Sequence, residues 1–132
     1  QIIPALKAGF IVLSDRYFYS IIARDIVRGA DFDWARKVYA FALIPDIVIY
    51  LRASIDSLVT RIVHGRGFNY WEAGMDIHCA DNLYDSYVAY QSSLLKQFDH
   101  LAKVYDFQIV NANQPIRRVF AQLRKKIQPL LS

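Results

Sequence analysis

The chain has 132 residues, of which 55% are hydrophobic, and carries a formal net charge of +4. That length is enough for one domain with a sizeable core, and no apolar run approaches the ~20 residues of a membrane-spanning helix. The single cysteine, Cys79, excludes an internal disulfide and is compatible with a reducing cytoplasm. The chain starts inside an apolar segment without a signal-peptide pattern, so we expect upstream sequence.

Helical periodicity alternates with short apolar, β-branched runs along the chain. In the first half of the chain we expect a helix over 2–8, a strand over 10–14, helices over 18–28 and 34–43, a strand over 47–51 and a helix over 54–64. In the second half we expect a loop over 65–71, a long helix over 72–105 with Gly74 as a candidate interruption of its first turns, a strand over 107–111 and a helix over 115–130. Strands separated by helices indicate a parallel sheet. The sequence therefore predicts a single α/β domain over residues 1–132, with a parallel sheet flanked by helices.

The first predicted strand stops abruptly at Ser14-Asp15-Arg16-Tyr17. Ligands of open α/β sheets bind at the carboxyl ends of the strands, which makes Asp15 and Arg16 candidate site residues. The planar guanidinium of arginine suits phosphate, and a carboxylate suits magnesium or the proton of a hydroxyl group. The alternative is a structural ion pair between these two side chains.

Two further segments are candidates for chemistry. The loop 65–71 places Arg66 between two glycines, which would let it swing over phosphates as a lid; the alternative is an exposed flexible turn. The candidate residues of this segment are Arg61, Arg66 and Glu72. The other segment is Asn111-Ala112-Asn113, at the end of the third predicted strand. We expect these two segments and Asp15-Arg16 to line one ligand-binding cleft at the same edge of the sheet.

Other patterns favour structural roles. Tyr84, Tyr87 and Tyr90 have helical spacing, which is more typical of core packing than of a base-stacking platform. The pair His78-Cys79, with aspartates nearby, does not match the ligand spacing of a zinc site. The basic residues of the last predicted helix are interpreted as a solvated face, not as a nucleic-acid patch.

Four segments in order carry a resemblance to a known family: SDRYFYS, Trp34 followed by YAFALIPDIVIYLRAS, TRIVHGRG, and Val110-Asn111-Ala112. Together they resemble the thymidylate kinases, which are P-loop nucleoside-monophosphate kinases with a three-layer sandwich fold. The family has a strand ending in Asp-Arg-Tyr with a serine three residues later, then a Pro-Asp before the next strand, and an arginine-containing lid. The resemblance covers nearly the whole chain and corresponds to the second half or so of such an enzyme.

The resemblance implies a role for each candidate residue. Asp15 would lie near magnesium and the transferred phosphoryl group, and Arg16 would bind the acceptor monophosphate. The residues that would bind or line the nucleoside are Tyr17, Ser20 and Arg24. The lid would contain Arg61, Arg66 and Glu72, with the arginines neutralising charge between the two sets of phosphates. Asn111, Ala112 and Asn113 would border the adenine of ATP.

The sequence also departs from the family. Thymidylate kinases often carry Ala-Tyr-Gln after the serine, where this chain has Ala23-Arg24-Asp25, and Arg52 stands where an aspartate is common. No G-x-x-x-x-G-K-[ST] motif occurs, so this chain encodes no phosphate-cradling P-loop. In the family the P-loop strand lies between the strands that correspond here to 10–14 and 47–51. The sheet is therefore expected to be incomplete and the chain alone inactive.

Three functional hypotheses follow. The first is a thymidylate kinase-like transferase of nucleotide biosynthesis, which uses ATP and Mg²⁺ to convert dTMP to dTDP. The second is a deoxynucleoside kinase, because YLRAS and RIVHGRG also resemble that group. The third is a kinase-fold domain that binds nucleotides without catalysis. The resemblance implies nucleotide partners and a homodimer. The single cysteine favours a cytoplasmic location, and the short apolar runs and scattered basic residues argue against membrane and nucleic-acid partners.

Overall fold

The computed structural model describes residues 1–131, in which helices alternate with two short strands. The helices are α1 (Ile2–Lys7), α2 (Phe18–Val27), α3 (Phe32–Val38), α4 (Ile55–Val63), α5 (Leu83–Val104) and α6 (Ile116–Ile127). The strands are β1 (Ile49–Arg52) and β2 (Gln108–Asn111), and two 3₁₀ turns cover Met75–Ile77 and Gln128–Leu130. The single-domain expectation included Ser132, which lies outside the described residues.

The two strands pair in parallel, with Ile49 opposite Gln108 and Arg52 opposite Asn111. The predicted α/β class with a parallel sheet flanked by helices is thus confirmed. β1 begins two residues later than the strand predicted over 47–51, although the amide of Gln108 already donates to the carbonyl of Val48 at 2.8 Å.

Helices lie on both faces of this small sheet. Tyr50 contacts Phe98 of α5, with ring centroids 5.6 Å apart. Gln108 accepts a hydrogen bond from Lys126 of α6 at 3.0 Å. Because Gln108 is paired with Ile49, the residue before Tyr50, and side chains alternate along a strand, Tyr50 and Gln108 point to opposite faces. The order of layers is therefore α5, sheet, α6.

The core is formed mainly where α2 packs against α5. Its buried members are Tyr19, Ile22, Ala23, Ala35, Tyr90, Leu94, Leu101, Ala102 and Phe107. The core interpretation of the α5 tyrosines holds for Tyr87 and Tyr90, which are 2% exposed, whereas Tyr84 is 50% exposed. No helix within residues 1–131 is long and apolar enough to span a lipid bilayer.

The strand predicted over 10–14 is wrong. Phe10, Ile11 and Leu13 are 68%, 77% and 93% exposed, and no backbone hydrogen bond of the described chain joins residues 11–15 to β1 or β2. A strand needs a neighbouring strand to satisfy its backbone groups. Within residues 1–131, β1 and β2 pair only with each other, and the P-loop motif of the strand that the resemblance places between 10–14 and 47–51 does not occur in this sequence.

The long helix predicted over 72–105 is also wrong in its first part. α5 begins only at Leu83, after Asn82, whose side chain accepts a hydrogen bond from the Asp85 amide at 2.9 Å. Upstream of this cap, Gly74 and His78 have φ angles of +65° and +51°. These left-handed conformations interrupt a right-handed helix. Residues 65–71 form neither helix nor strand.

The hydroxyl of Tyr50 is buried and has no hydrogen-bond partner among the described residues. Burial, reinforced by the negative charge of Asp99, raises the pKa of this hydroxyl to about 12. The hydroxyl therefore stays protonated, and no hydrogen bond offsets its desolvation.

We expect Tyr50→Phe to raise the free energy of unfolding by about 1 kcal/mol, because the desolvated group is removed. Tyr90→Phe is the matched control: it should lower stability, since the Tyr90 hydroxyl accepts from Arg28. Urea unfolding of both variants would test this, and a destabilised Tyr50→Phe would contradict it.

Candidate functional site

The loops that follow the two strands meet at the carboxyl edge of the sheet. Ser54, two residues after β1, donates from its amide and its hydroxyl to Oδ1 of Asn113, at 2.9 and 3.2 Å. The same hydroxyl caps α4 by accepting from the amide of Ser57. The start of α4 and the turn before α6 are thus fixed to each other where parallel α/β sheets bind ligands.

Arg61 connects α4 to the same turn. Its Nη2 donates to the carbonyl of Ala112 at 2.5 Å, across the sheet edge. The structure therefore brings together Arg61 and the segment Asn111-Ala112-Asn113. Internal hydrogen bonds already occupy several polar atoms of that segment, because Oδ1 of Asn111 accepts from the amide of Asn113 at 2.9 Å and Ala112 is buried.

Arg66 and Glu72 form an ion pair in the loop after α4. Nη2 of Arg66 lies 2.7 and 2.6 Å from the two carboxylate oxygens of Glu72. The Arg66 side chain is 68% exposed and the Glu72 side chain 26%. The two predicted lid residues are therefore in contact, and Arg66 remains accessible to a ligand.

Asp15 and Arg16 lie exposed just before α2. Neither side chain has a hydrogen bond or ion pair among the described residues, so the alternative of a structural ion pair between them is not observed. Arg16 has a φ of +53°, a left-handed conformation that is uncommon outside glycine and that often occurs at functional sites. Within residues 1–131, no hydrogen bond or ion pair joins these two residues to Arg61, Arg66 or the turn after β2.

The remaining acceptor candidates follow along α2. Tyr17 precedes the helix and packs edge-on against Phe18, with centroids 4.8 Å apart. The Ser20 hydroxyl donates to the Tyr17 carbonyl at 3.0 Å. Arg24 is exposed one turn beyond Ser20. Ser20 and Arg24 share a face of α2 because they are four residues apart, so a ligand along that face could contact both.

Sequence reasoning missed a cluster at the far end of α2. Nε of Arg28 donates to Asp76 at 3.1 Å, and another guanidinium nitrogen donates to the hydroxyl of Tyr90. The guanidinium also lies 5.1 Å from the centre of the Tyr90 ring. These contacts tie α2 both to α5 and to the segment after the loop. The partners are 48 and 62 residues away in sequence, a separation at which no local spacing signal exists.

Arg52, where the family often has an aspartate, ends β1 and pairs with Asp99 of α5. Nε and Nη2 of Arg52 donate to Oδ1 and Oδ2 of Asp99, at 2.8 and 2.9 Å. This hydrogen bonding lowers the pKa of Asp99 below its ordinary value. The pair therefore stabilises the fold above the unfolded-state pKa of about 4, and this stability is lost as the pH falls through the lower folded-state pKa.

We expect Asp99→Asn to reduce the free energy of unfolding at pH 7 by about 0.5–1 kcal/mol, the upper range for solvent-exposed pairs. The difference from wild type should be smaller at pH 3, because at that pH Asp99 of the unfolded wild type takes up a proton, which Arg52 opposes in the folded state. Urea unfolding at both pH values measures this. Asp33→Asn is the control with a weak ion pair, since Oδ1 of Asp33 lies as far as 3.9 Å from Nη1 of Arg36 and the Asp33 side chain is 76% exposed. A pH-independent loss in Asp99→Asn would contradict the electrostatic explanation.

Magnesium and ATP were expected at this site. Within residues 1–131, no group of three or more His, Cys, Asp or Glu side chains is arranged to hold a metal ion. Protein-bound Mg²⁺ needs only one or two carboxylates, because waters and substrate phosphates complete its coordination. An exposed, unpaired carboxylate such as Asp15 fits that requirement.

Comparison with known proteins gives one family. The thymidylate kinase family model matches residues 1–123. A protein of Saccharolobus solfataricus named "Probable thymidylate kinase 2" is 37% identical over 94% of this chain and 59% of its own length. "Probable thymidylate kinase" proteins of Thermococcus kodakarensis and Thermococcus gammatolerans are 30% and 32% identical, over 97% and 88% of this chain and 57% and 50% of their own lengths. The chain thus spans between half and three-fifths of these relatives.

Proposed function

The chain belongs to the thymidylate kinase family, and from this membership we propose that the complete protein transfers the γ-phosphoryl group of ATP to dTMP, giving ADP and dTDP. An oxygen of the acceptor monophosphate attacks the γ-phosphorus while the bond to the β,γ-bridging oxygen breaks. Such transfer depends on positioning and charge neutralisation more than on covalent chemistry. The observation that carries the proposal is that Asp15 and Arg16 are exposed before α2 and unpartnered within residues 1–131, with Arg16 in a left-handed backbone conformation.

The acceptor would bind along α2. Arg16 would hold the monophosphate through two parallel hydrogen bonds, for which the guanidinium is shaped. Ser20 and Arg24, on one face of the helix, would line the nucleoside pocket, with Tyr17 at its entrance. Arg24 stands where the family often has tyrosine, so recognition of the thymine base would use different contacts here.

The donor would bind toward the edge formed by the strand ends. Arg61 and Arg66 carry positive charge that would offset the negative charge on the ATP phosphates, and Asn111, Ala112 and Asn113 would border the adenine. Asp15 would be the carboxylate ligand of Mg²⁺. When bound, Mg²⁺ neutralises negative charge on the phosphates. Because this chain has no P-loop motif, we expect the 132 residues alone to be inactive.

A coupled assay of ADP release tests the proposal. The complete protein is supplied with ATP, Mg²⁺ and, in turn, dTMP, other nucleoside monophosphates and deoxynucleosides. Turnover with dTMP, and little with deoxynucleosides, is the expected result. Turnover with deoxynucleosides alone would assign the protein to the deoxynucleoside kinases. A folded protein that releases no ADP with any of these acceptors would be a kinase-fold domain without this reaction.

Two further properties belong to the proposal. We place the reaction in the cytoplasm, where nucleotide pools lie and where a single cysteine stays reduced. We also propose that the complete protein is a homodimer, as the resemblance implies. Light scattering coupled to size-exclusion chromatography would measure its mass in solution.

A further inference from the structure

The Arg66–Glu72 ion pair leaves most of the arginine's donors available. Both carboxylate oxygens contact the same nitrogen, Nη2, at 2.7 and 2.6 Å. Nε and Nη1 have no partner within residues 1–131. A guanidinium has five N–H donors in a rigid fork, so the pair holds one side of Arg66 and leaves the other side open to an anion.

Glu72 is the fixed member of the pair. Its carbonyl accepts from Nε2 of Gln91 on α5 at 2.8 Å, and its amide lies 3.4 Å from Oδ1 of Asn69, which accepts from the Trp71 amide at 2.9 Å. The Glu72 side chain is 26% exposed. The backbone of Glu72 is thus anchored by contacts that do not involve Arg66, and its side chain is less exposed than that of Arg66.

The Arg66 side chain has no comparable restraint. Its backbone is held, because the amides of Gly65 and Gly67 donate to the carbonyl of Ile62 in the last turn of α4, at 3.1 and 3.0 Å. The side chain itself is 68% exposed. A long, exposed side chain samples many orientations unless another group restrains it. Within residues 1–131, the group that restrains Arg66 is Glu72.

We propose that Glu72 is a positioning residue: its carboxylate, which projects from an anchored backbone, orients Arg66 so that Nε and Nη1 face a polyphosphate. This inference rests on the proposed function, in which Arg66 meets the phosphates of the donor. The ordering of the arginine takes place before the ligand arrives, so binding does not have to supply it. The opposite possibility is competition, in which Glu72 must release Arg66 before the phosphates bind. The two differ in sign, because removing Glu72 would weaken phosphate binding in the first case and strengthen it in the second.

The test measures the dissociation constant of inorganic tripolyphosphate by calorimetry, with the complete protein. We expect Glu72→Ala to raise it about three- to tenfold, the effect of leaving one long side chain unordered. Glu72→Gln keeps an oxygen that can accept from Nη2 and should recover part of the loss. In an Arg66→Ala background, Glu72→Ala should have no further effect. Asp81→Ala is the control for charge, because Asp81 is exposed in the segment between the loop and α5 and has no hydrogen bond or ion pair within residues 1–131.

Three results would overturn the inference. Tighter binding in Glu72→Ala but not in Asp81→Ala would mean competition, equally tighter binding in both variants would mean that the change in net charge determines the affinity, and an equal loss in the Arg66→Ala background would mean that Glu72 acts on the fold. Wild-type turnover of dTMP, measured alongside, separates this inference from the proposed function. If wild type turns over and the Glu72 variants bind tripolyphosphate normally, only the inference fails. If wild type neither turns over nor binds tripolyphosphate, both fail.

Discussion

Gly74→Ala is expected to lower the free energy of unfolding of the complete protein by about 2–5 kcal/mol, combining left-handed backbone strain with overpacking. Gly74 has a φ of +65°, and a Cβ atom there would lie 2.7–2.8 Å from Cβ, Cγ and Cδ2 of Tyr90. These atoms lie close to the α5 backbone, so a rotation of the ring about its own axis cannot clear them. Tyr90 is 2% exposed, and its hydroxyl is bound to Arg28, which restrains the other end of the side chain.

Gly67→Ala provides a matched control for that experiment. Gly67 also has a positive φ, +78°, but a Cβ atom there would meet nothing within 4 Å. Its replacement should therefore cost only the backbone component, about 1–2 kcal/mol. Chemical denaturation of both variants measures the difference, which isolates the clash with Tyr90. Equal losses in the two variants would show that the packing of Gly74 against α5 contributes nothing beyond its φ angle.

The role of Gly74 illustrates which parts of the fold the sequence could predict. The alternation of apolar runs with helical periodicity predicted the α/β class, the order of the helices and the two strands that form. The apolar residues beyond Glu72 also suggested a helix, but helical spacing alone does not identify its first residue. The start of α5 depends on left-handed residues upstream and on the cap at Asn82.

The strand predicted over residues 10–14 failed for a different reason. Its residues are apolar and β-branched, as a buried strand requires, but the strand that the resemblance places beside it carries the P-loop motif, which does not occur in this sequence. Pairing is a property of two segments, and the local sequence specifies only one of them. Ile11 and Leu13 therefore remain exposed in the described chain, although their residue types are those of a sheet interior.

The candidate site was predictable to the extent that it follows from topology. Because parallel strands end at the same edge, the segment containing Arg61 and the segment Asn111-Ala112-Asn113 were predicted to meet there, and Arg61 does donate to the carbonyl of Ala112. Arg28, Asp76 and Tyr90 were missed because their association depends on how α2 packs against α5. The direct contact of Arg66 with Glu72 was likewise not predicted in detail, although both residues were assigned to the same loop.

Arg16→Ala is expected to lower kcat/KM for dTMP by about 30- to 900-fold, corresponding to the ~2–4 kcal/mol that a key electrostatic donor contributes to a transition state. Arg16→Lys should recover little of this, because an ammonium group keeps the charge but cannot form two parallel hydrogen bonds to one phosphate. Steady-state kinetics with the complete protein measure both effects. The control is Arg36→Ala, an exposed arginine of α3 that pairs with Asp33 and should leave turnover unchanged.

The backbone of Arg16 allows function to be separated from stability. Its φ of +53° is unfavourable for a residue with a side chain, and within residues 1–131 its side chain has no partner whose loss would destabilise the fold. Arg16→Gly should therefore raise the free energy of unfolding by up to about 1 kcal/mol, since glycine adopts this conformation without strain, while turnover falls as in Arg16→Ala. Such a variant, more stable and less active, would show that the strain is retained for the sake of the guanidinium. Near-normal turnover in either variant would remove Arg16 from phosphate binding, and lower stability in Arg16→Gly would assign it a structural role.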